Sequence, residues 1–121
     1  MDKKTKIVIQ EHNAEKAGLH WDLRFEHNGV LKSWAIPKAR LPKGKEKLLA
    51  MQVEDHPLSW GSFDGVIKEG YGKGTVKLLA NESVEAEVTE TKVTFSYGGN
   101  KYKLFNAPYL RGKGTYLIKE I

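Results

Sequence analysis

The chain predicts an all-β fold: a small closed or partly open β-barrel of about eight strands with at most short helical turns. Three observations carry that expectation. Apolar and polar residues alternate over short runs, most clearly in Leu19-His20-Trp21-Asp22-Leu23-Arg24-Phe25, which is the two-residue period of a strand with one buried face. Turn residues punctuate the runs, and Asn28-Gly29 and Gly98-Gly99-Asn100 are hairpin signals because Asn and Gly accept positive φ. Helical spacing is nearly missing: Ala14-Glu15-Lys16-Ala17-Gly18 amounts to a turn, and Lys43-Gly44-Lys45-Glu46-Lys47 reads as a solvated basic loop.

The expected strands follow in order. Residues 6–11 centre on the β-branched Ile7-Val8-Ile9, residues 19–26 alternate, and residues 30–36 follow Asn28-Gly29 and stop at Pro37. Residues 48–54 run into His56-Pro57, where proline restrains the residue before it to an extended conformation. Further runs fall at 63–67, 74–79, 84–89, 92–97, 101–105 and 115–119, the pair 92–97 and 101–105 joined by the second glycine turn. Gly70, Gly72 and Gly74 around Tyr71 and Lys73 lack the Lys-Ser/Thr ending of a nucleotide-binding loop and read as a backbone bend. The Glu-rich stretch from Asn81 to Thr91 reads as facing water, away from any phosphate.

At 121 residues the chain is expected to be a single domain, 1–121, large enough to bury a core of its own. The lack of cysteine excludes thiolate nucleophiles, cysteine zinc sites and disulfide frameworks. Twenty Lys plus Arg against fifteen Asp plus Glu leave +5, which favours a polyanionic partner such as nucleic acid. The start Met1-Asp2-Lys3-Lys4-Thr5-Lys6 is charged and offers no apolar signal core, so a soluble cytoplasmic protein with no membrane association is expected.

The polar face of residues 19–26 carries the chemistry. His20, Asp22 and Arg24 project from one side of one strand, a row suited to a divalent metal beside an anion. Arg24 lies about 7 Å beyond Asp22 along that face, and its fork matches phosphate geometry. His12, at the end of the neighbouring apolar strand, is close enough in sequence to return to the same site and complete a three-ligand set with open positions. His56 can be aimed across the cleft from a strand end, while Glu54 reads equally as an orienting carboxylate or an exposed strand residue. Lys38, just after Pro37, is a candidate phosphate contact, Lys32 reads as solvent-facing, and His27 beside the hairpin turn reads as structural. Trp21 and Trp34 are assigned to the core, leaving Trp60 free to stack on a base.

Six blocks carry a resemblance: Ile7-Val8-Ile9-Gln10-Glu11-His12, Leu19-His20-Trp21-Asp22-Leu23-Arg24, Gly29-Val30-Leu31-Lys32-Ser33-Trp34-Ala35-Ile36-Pro37-Lys38, Val53-Glu54-Asp55-His56-Pro57-Leu58, Gly70-Tyr71-Gly72-Lys73-Gly74 and Tyr116-Leu117-Ile118-Lys119. In order and over most of the chain they resemble the 3′-phosphoesterase domain of the bacterial repair protein DNA ligase D and its stand-alone archaeal and bacterial relatives. The resemblance implies a compact β-barrel that uses a divalent metal, typically Mn²⁺, to heal DNA 3′ ends. A terminal ribonucleoside and then the 3′-phosphate are removed, leaving a 3′-hydroxyl. Carried over by motif, His12, His20 and Asp22 are the metal ligands. Arg24 and His56 contact the scissile phosphate, supported by Lys38 and Glu54. The implied partners are a DNA or DNA/RNA primer 3′ end and a separate DNA ligase and polymerase or primase, with the domain acting as a monomer.

Three departures accompany the match. The connection from His12 to His20 is longer than the family pattern, Trp60 stands where a tyrosine is common, and Leu48 stands where a basic residue is common, with Lys47 beside it. Two other functions fit parts of the same chain. One takes His20, Asp22 and His56 as the facial triad of a non-haem iron oxygenase; the other is a non-catalytic nucleic-acid-binding barrel built on basic loops and tryptophans.

Overall fold

The apolar side of each alternating run faces a single interior in the computed structural model, which describes residues 3–121; Met1 and Asp2, part of the expected single domain, lie outside the described residues. The strands are β1 (Lys4–Ala14), β2 (Gly18–His27), β3 (Val30–Ile36), β4 (Lys47–His56), β5 (Gly65–Ile67), β6 (Gly74–Val88), β7 (Lys92–Tyr97), β8 (Asn100–Asn106) and β9 (Thr115–Glu120). Eight of them close an antiparallel barrel in the order β1-β2-β3-β4-β9-β8-β7-β6, with β6 returning to β1. The short β5 lies outside this ring, along the N-terminal part of β6. Closure leaves no long unpaired edge in the ring.

Both glycine turns behave as their chemistry requires. Asn28 and Gly29 take φ of 52° and 82°, and Gly98 and Gly99 take 59° and 85°, the positive pair that matches the right-handed twist of the flanking strands. The interior is filled by Ile7, Ile9, Leu23, Phe25, Trp34 and Ile36 from the first three strands, facing Phe95, Leu104, Tyr116 and Ile118. Phe25 contacts Trp34 and Phe95 at ring separations of 6.3 and 4.9 Å, within the range that adds to area burial alone. Trp34 is a core residue, as expected, whereas Trp21 is only partly buried and packs against the core, and Leu19 at the barrel rim is 52% exposed.

Three elements differ from the sequence expectation. The runs at 74–79 and 84–89 are one fifteen-residue strand, β6. Pairing with β1 continues through polar Asn81-Glu82-Ser83, and a register shift opposite Ile9/Gln10 absorbs the irregularity. The run at 63–67 shortens to β5, and a 3₁₀ turn, Leu58–Ser62, precedes it. A single helical turn, α1 (Pro108–Arg111), connects β8 and β9; its proline at the first turn lacks a donor that would be unpaired there anyway.

The outer surface of the barrel is covered at one place. Residues 57–73, comprising the 3₁₀ turn, β5 and the Gly-rich loop, fold over the outward faces of β1, β2 and β3. Gly61 permits this approach, since a Cβ there would lie 3.1 Å from Val8 Cγ2 and 3.5 Å from Leu31 Cδ1. Asn81 Nδ2 donates to Gly61 O at 2.7 Å and ties the cover to β6.

Candidate metal and phosphate site

Cross-strand register assembles the site under this cover. His12 pairs with His20, Gln10 with Asp22 and Val8 with Arg24 across β1 and β2, while Ala35 and Ser33 of β3 lie opposite Asp22 and Arg24. Paired residues share a face, so the polar row of β2 meets the outward residues of both neighbours. His12 Nδ1 lies 3.6 Å from Asp22 Oδ2, and His20 Nε2 lies 3.4 Å from Asp22 Oδ1. One ligand atom from each of the three residues falls within 4.8 Å of the others.

The donor set suits a divalent transition ion. Two ligands each about 2.1 Å from one cation are separated by about 3.0–3.6 Å at bond angles of 90–120°, and each histidine lies at such a distance from one of the two Asp22 oxygens, His12 from Oδ2 and His20 from Oδ1. The tautomers agree with this. His12 Nε2 donates to Gly72 O at 2.7 Å and His20 Nδ1 donates to Gly18 O at 3.1 Å; a carbonyl can only accept, so each bond leaves the other ring nitrogen bare toward Asp22. The loop that reads in sequence as a bend therefore supplies a structural partner to a candidate ligand. Gly18 takes φ of 80° at the start of β2, and its carbonyl faces His20.

Arg24 is 3% exposed and is held on three sides. Its Nε donates to Gln10 Oε1 at 2.8 Å, its Nη2 lies 3.4 Å from Asp22 Oδ2, and its Nη1 lies 3.2 Å from His56 Nδ1. Gln10, fully buried, spends its amide nitrogen on Trp60 O at 2.9 Å and Phe63 O at 3.1 Å. It links the guanidinium to the cover. Sequence reasoning passed over Gln10 as part of an apolar strand; a lone amide at an outward position of that strand was the available signal.

His56 reaches this face because of a bulge. Ser33 pairs with Val53, but Leu31 pairs with His56, so Glu54 and Asp55 together oppose Lys32. Regular alternation from Val53 would have presented Asp55; the extra residue presents the imidazole. Its Nδ1 lies 2.9 Å from Glu54 O, so Glu54 contacts His56 through its main chain, with an exposed side chain at the cavity rim. Trp60 stands 5.8 Å from the His56 ring and stacks on Phe63 at 4.5 Å with an interplanar angle of 6°. Lys38 is exposed in the turn beyond Pro37, outside the residues that line the cavity. His27 lies at the far end of β2, beyond Glu26.

The charges are mutually dependent. When protonated, His20 also donates Nε2–H to Asp22 Oδ1, and this bond raises its pKa against the opposing effect of burial. Burial alone would push Asp22 up, but the His20 bond and the Arg24, His20 and His12 charges together hold it below the usual carboxylate value. Burial, then the Arg24 charge, lowers His56 and favours its neutral form. Burial also lowers Arg24, opposed by Asp22; an arginine nevertheless remains a cation at physiological pH. The result is a carboxylate between two imidazoles on one side and a fixed guanidinium on the other.

A closed antiparallel barrel carrying a candidate three-ligand metal set beside a buried arginine and a half-buried histidine belongs to the class of small candidate metal-and-anion sites on β-barrels. The family follows from comparison: residues 10–108 match the DNA ligase D 3′-phosphoesterase domain, and the chain belongs to that family. The multifunctional non-homologous end joining protein LigD of Pseudomonas aeruginosa is 49% identical over 72 residues, covering 59% of this chain and 8% of that protein. LigD of Mycolicibacterium smegmatis is 45% identical over 83 residues, covering 68% of this chain and 11% of that protein. LigD of Mycobacterium bovis is 42% identical over 82 residues, covering 67% and 10%. The matched region thus spans about a tenth of each relative. Membership supports a DNA-repair role in end processing. No helix among the described residues is long and apolar enough to cross a membrane.

Proposed function

We propose that this protein is a metal-dependent 3′-end-healing phosphoesterase that removes a 3′-terminal phosphate, and a 3′-terminal ribonucleoside, to leave a 3′-hydroxyl for repair. The observation that carries the reading is the junction of His12, His20 and Asp22 with Arg24 and His56 in one cavity. His12 Nδ1, His20 Nε2 and an Asp22 oxygen would hold the ion, with Mn²⁺ the expected occupant. When bound, such an ion supplies Lewis-acid polarisation of a phosphate oxygen and a template for the attacking water.

The side chains account for the remaining steps. Arg24, restrained by Gln10 and Asp22, offers its guanidinium edge to non-bridging oxygens, and restraint before substrate arrives removes a reorganisation cost during reaction. With Arg24 Nη1 donating to its Nδ1, neutral His56 carries its proton on Nε2 and donates it to the phosphate as charge builds on the phosphate oxygens. Glu54 plays a supporting part at the rim, and Lys38 does so from the turn beyond Pro37. Water attacks phosphorus, the bond from phosphorus to the 3′ oxygen breaks, and the departing oxygen takes a proton to become the 3′-hydroxyl. For a terminal ribonucleoside, water attacks the phosphorus, the bond to that nucleoside's 5′ oxygen breaks, the released oxygen takes a proton and a 3′-phosphate stays on the chain; the 2′-hydroxyl participates, so a deoxy terminus reacts poorly. The substrate is a DNA or DNA/RNA primer 3′ end, handed on to a separate ligase and polymerase.

The iron-oxygenase reading needs His56 as third ligand. The three-residue cluster contains His12 instead, while His56 Nδ1 sits against Arg24. The direct test incubates primer-templates ending in a 3′-phosphate or a 3′-ribonucleotide with Mn²⁺, or with chelator, and resolves the product ends. Mn²⁺-dependent 3′-hydroxyl formation, lost in His20→Ala, is expected. Retention of phosphate hydrolysis in His20→Ala would overturn the assignment.

A further inference from the structure

The cavity is larger than the chemistry at its floor requires. Its volume is about 520 Å³, whereas a cation and a phosphate group fill the space of roughly five waters, about 150 Å³. The remaining space has a different character. Leu19, Pro37, Ile67 and Tyr71 line it toward the His12–His20 end, and Val53 lines it toward the Arg24–His56 end. Three of these are unusually open for large apolar side chains: Leu19 at 52% exposure, Val53 at 39% and Tyr71 at 71%. They come from three separate parts of the chain, the start of β2, the end of β4 and the Gly-rich loop. Leu19 and Tyr71, both at the His12–His20 end beside a buried ionic cluster, mark a binding surface and not scattered exposure.

We infer that this apolar flank is a subsite for the nucleoside carrying the phosphate on its 3′ oxygen, with Tyr71 as its aromatic face and Leu19 and Pro37 as its aliphatic lining. The inference rests on the phosphoesterase reading and deepens it. Its occupant is set by continuity. A phosphate placed between the His12–His20–Asp22 set and Arg24 carries a sugar and base with it, and the space beside that phosphate within the same cavity is apolar. Leu19, Pro37 and Ile67 offer no side-chain donor or acceptor, so the flank takes a π-face and a sugar edge without reading a base. Tyr71 is well placed because of its neighbour. Gly72 O anchors the loop to His12, so the same loop that orients a ligand also presents the ring at the cavity mouth.

Binding in chelator separates this subsite from turnover. Fluorescence anisotropy would compare 3′-phosphorylated oligonucleotides ending in thymidine with otherwise identical ones ending in an abasic residue, using the whole chain. The thymidine end is expected to bind about 10-fold tighter, the size of one base–aromatic stack. Tyr71→Ala should bring the affinity ratio close to 1, Tyr71→Phe should preserve it, and Leu19→Asn should reduce it partway. The four bases should differ by less than about threefold, since stacking tolerates every base. A wild-type ratio below about 2, including no preference at any concentration, overturns the subsite, as does a ratio unchanged by Tyr71→Ala. Product release in Mn²⁺ is scored separately. A base preference without product keeps the subsite and removes the reaction; product without a base preference does the reverse.

Discussion

Two walls of the same barrel use the same alternation and reach opposite outcomes. On β1–β3 the outward residues Gln10, Asp22, Arg24 and Ser33 are buried, because residues 57–73 lie over them. On β4, β9 and β8 the outward face stays in water, and register places Lys47 opposite Lys119 and Lys119 opposite Lys103. None of these three lysines has an ion-pair partner among the described residues, although Lys103 and Lys119 lie 5.6 and 5.9 Å from the Phe105 ring centre. Solvent makes uncompensated like charges tolerable there. Under the cover every charge needs a partner, and that necessity orders the site.

The largest expected effect breaks the covered wall at its centre. Asp22→Asn keeps the shape but removes the carboxylate shared by His12, His20 and Arg24, and 3′-phosphate release should fall by more than about 100-fold, beyond the loss typical of an outer partner. End-product gels with added Mn²⁺ check this. Gly74→Ala attacks the cover's return into β6. Gly74 has φ of 149°, and a Cβ there would lie 2.1 Å from Asn13 O, so a loss of about 3 kcal/mol in denaturant unfolding is expected.

Gln10→Ala probes the link between cover and wall. It strands Arg24 Nε and releases two carbonyls, for an expected loss of about 2–4 kcal/mol. Phosphate release should fall with it, because Arg24 loses a restraint. Gln10→Glu, which restores an acceptor for Arg24 but not the amide donors, should recover part of both losses.

The solvated wall should respond weakly, which sharpens the contrast. Lys119→Glu relieves two like-charge neighbours and should change stability by a few tenths of a kcal/mol at low salt, shrinking as salt is added. A change above about 1 kcal/mol would remove the distinction between the walls. The smallest effect is at the exposed Arg40–Glu46 pair, with contacts of 2.6 and 2.7 Å. The Arg40 hydrogen bond leads the causes that hold Glu46 down to about 2 from its ordinary 4.5. A carboxyl lowered on folding contributes stability above its unfolded pKa and loses it as pH falls through the folded one. NMR titration of Arg40→Gln should return Glu46 toward 4.5, with stability near neutral pH almost unchanged.

How much was legible follows from range. The row His20, Asp22, Arg24 was visible because alternation within one strand needs no partner to interpret. His12 was reachable because a short connection constrains where β1 can lie. Gln10 was not singled out, since its role depends on Trp60 and Phe63, 50 and 53 residues away. The Gly-rich loop was legible as a bend but not as the carbonyl that faces His12. His56 was placed at the cleft from its proline context, but the bulge that presents it is a pairing property of β3 and β4.

By itself the amino-acid order determined the all-β class, both glycine turns, the apolar interior and a face carrying imidazole, carboxylate and guanidinium, because these depend on side-chain period and backbone freedom over a few residues. Only the tertiary structure decided which face would be covered, which nitrogen of each imidazole would stay bare, and how Arg24 would be restrained. Those outcomes depend on carbonyls and amides brought together by strand register and by a distant segment, and a buried polar group is compatible with the fold only where such partners meet it.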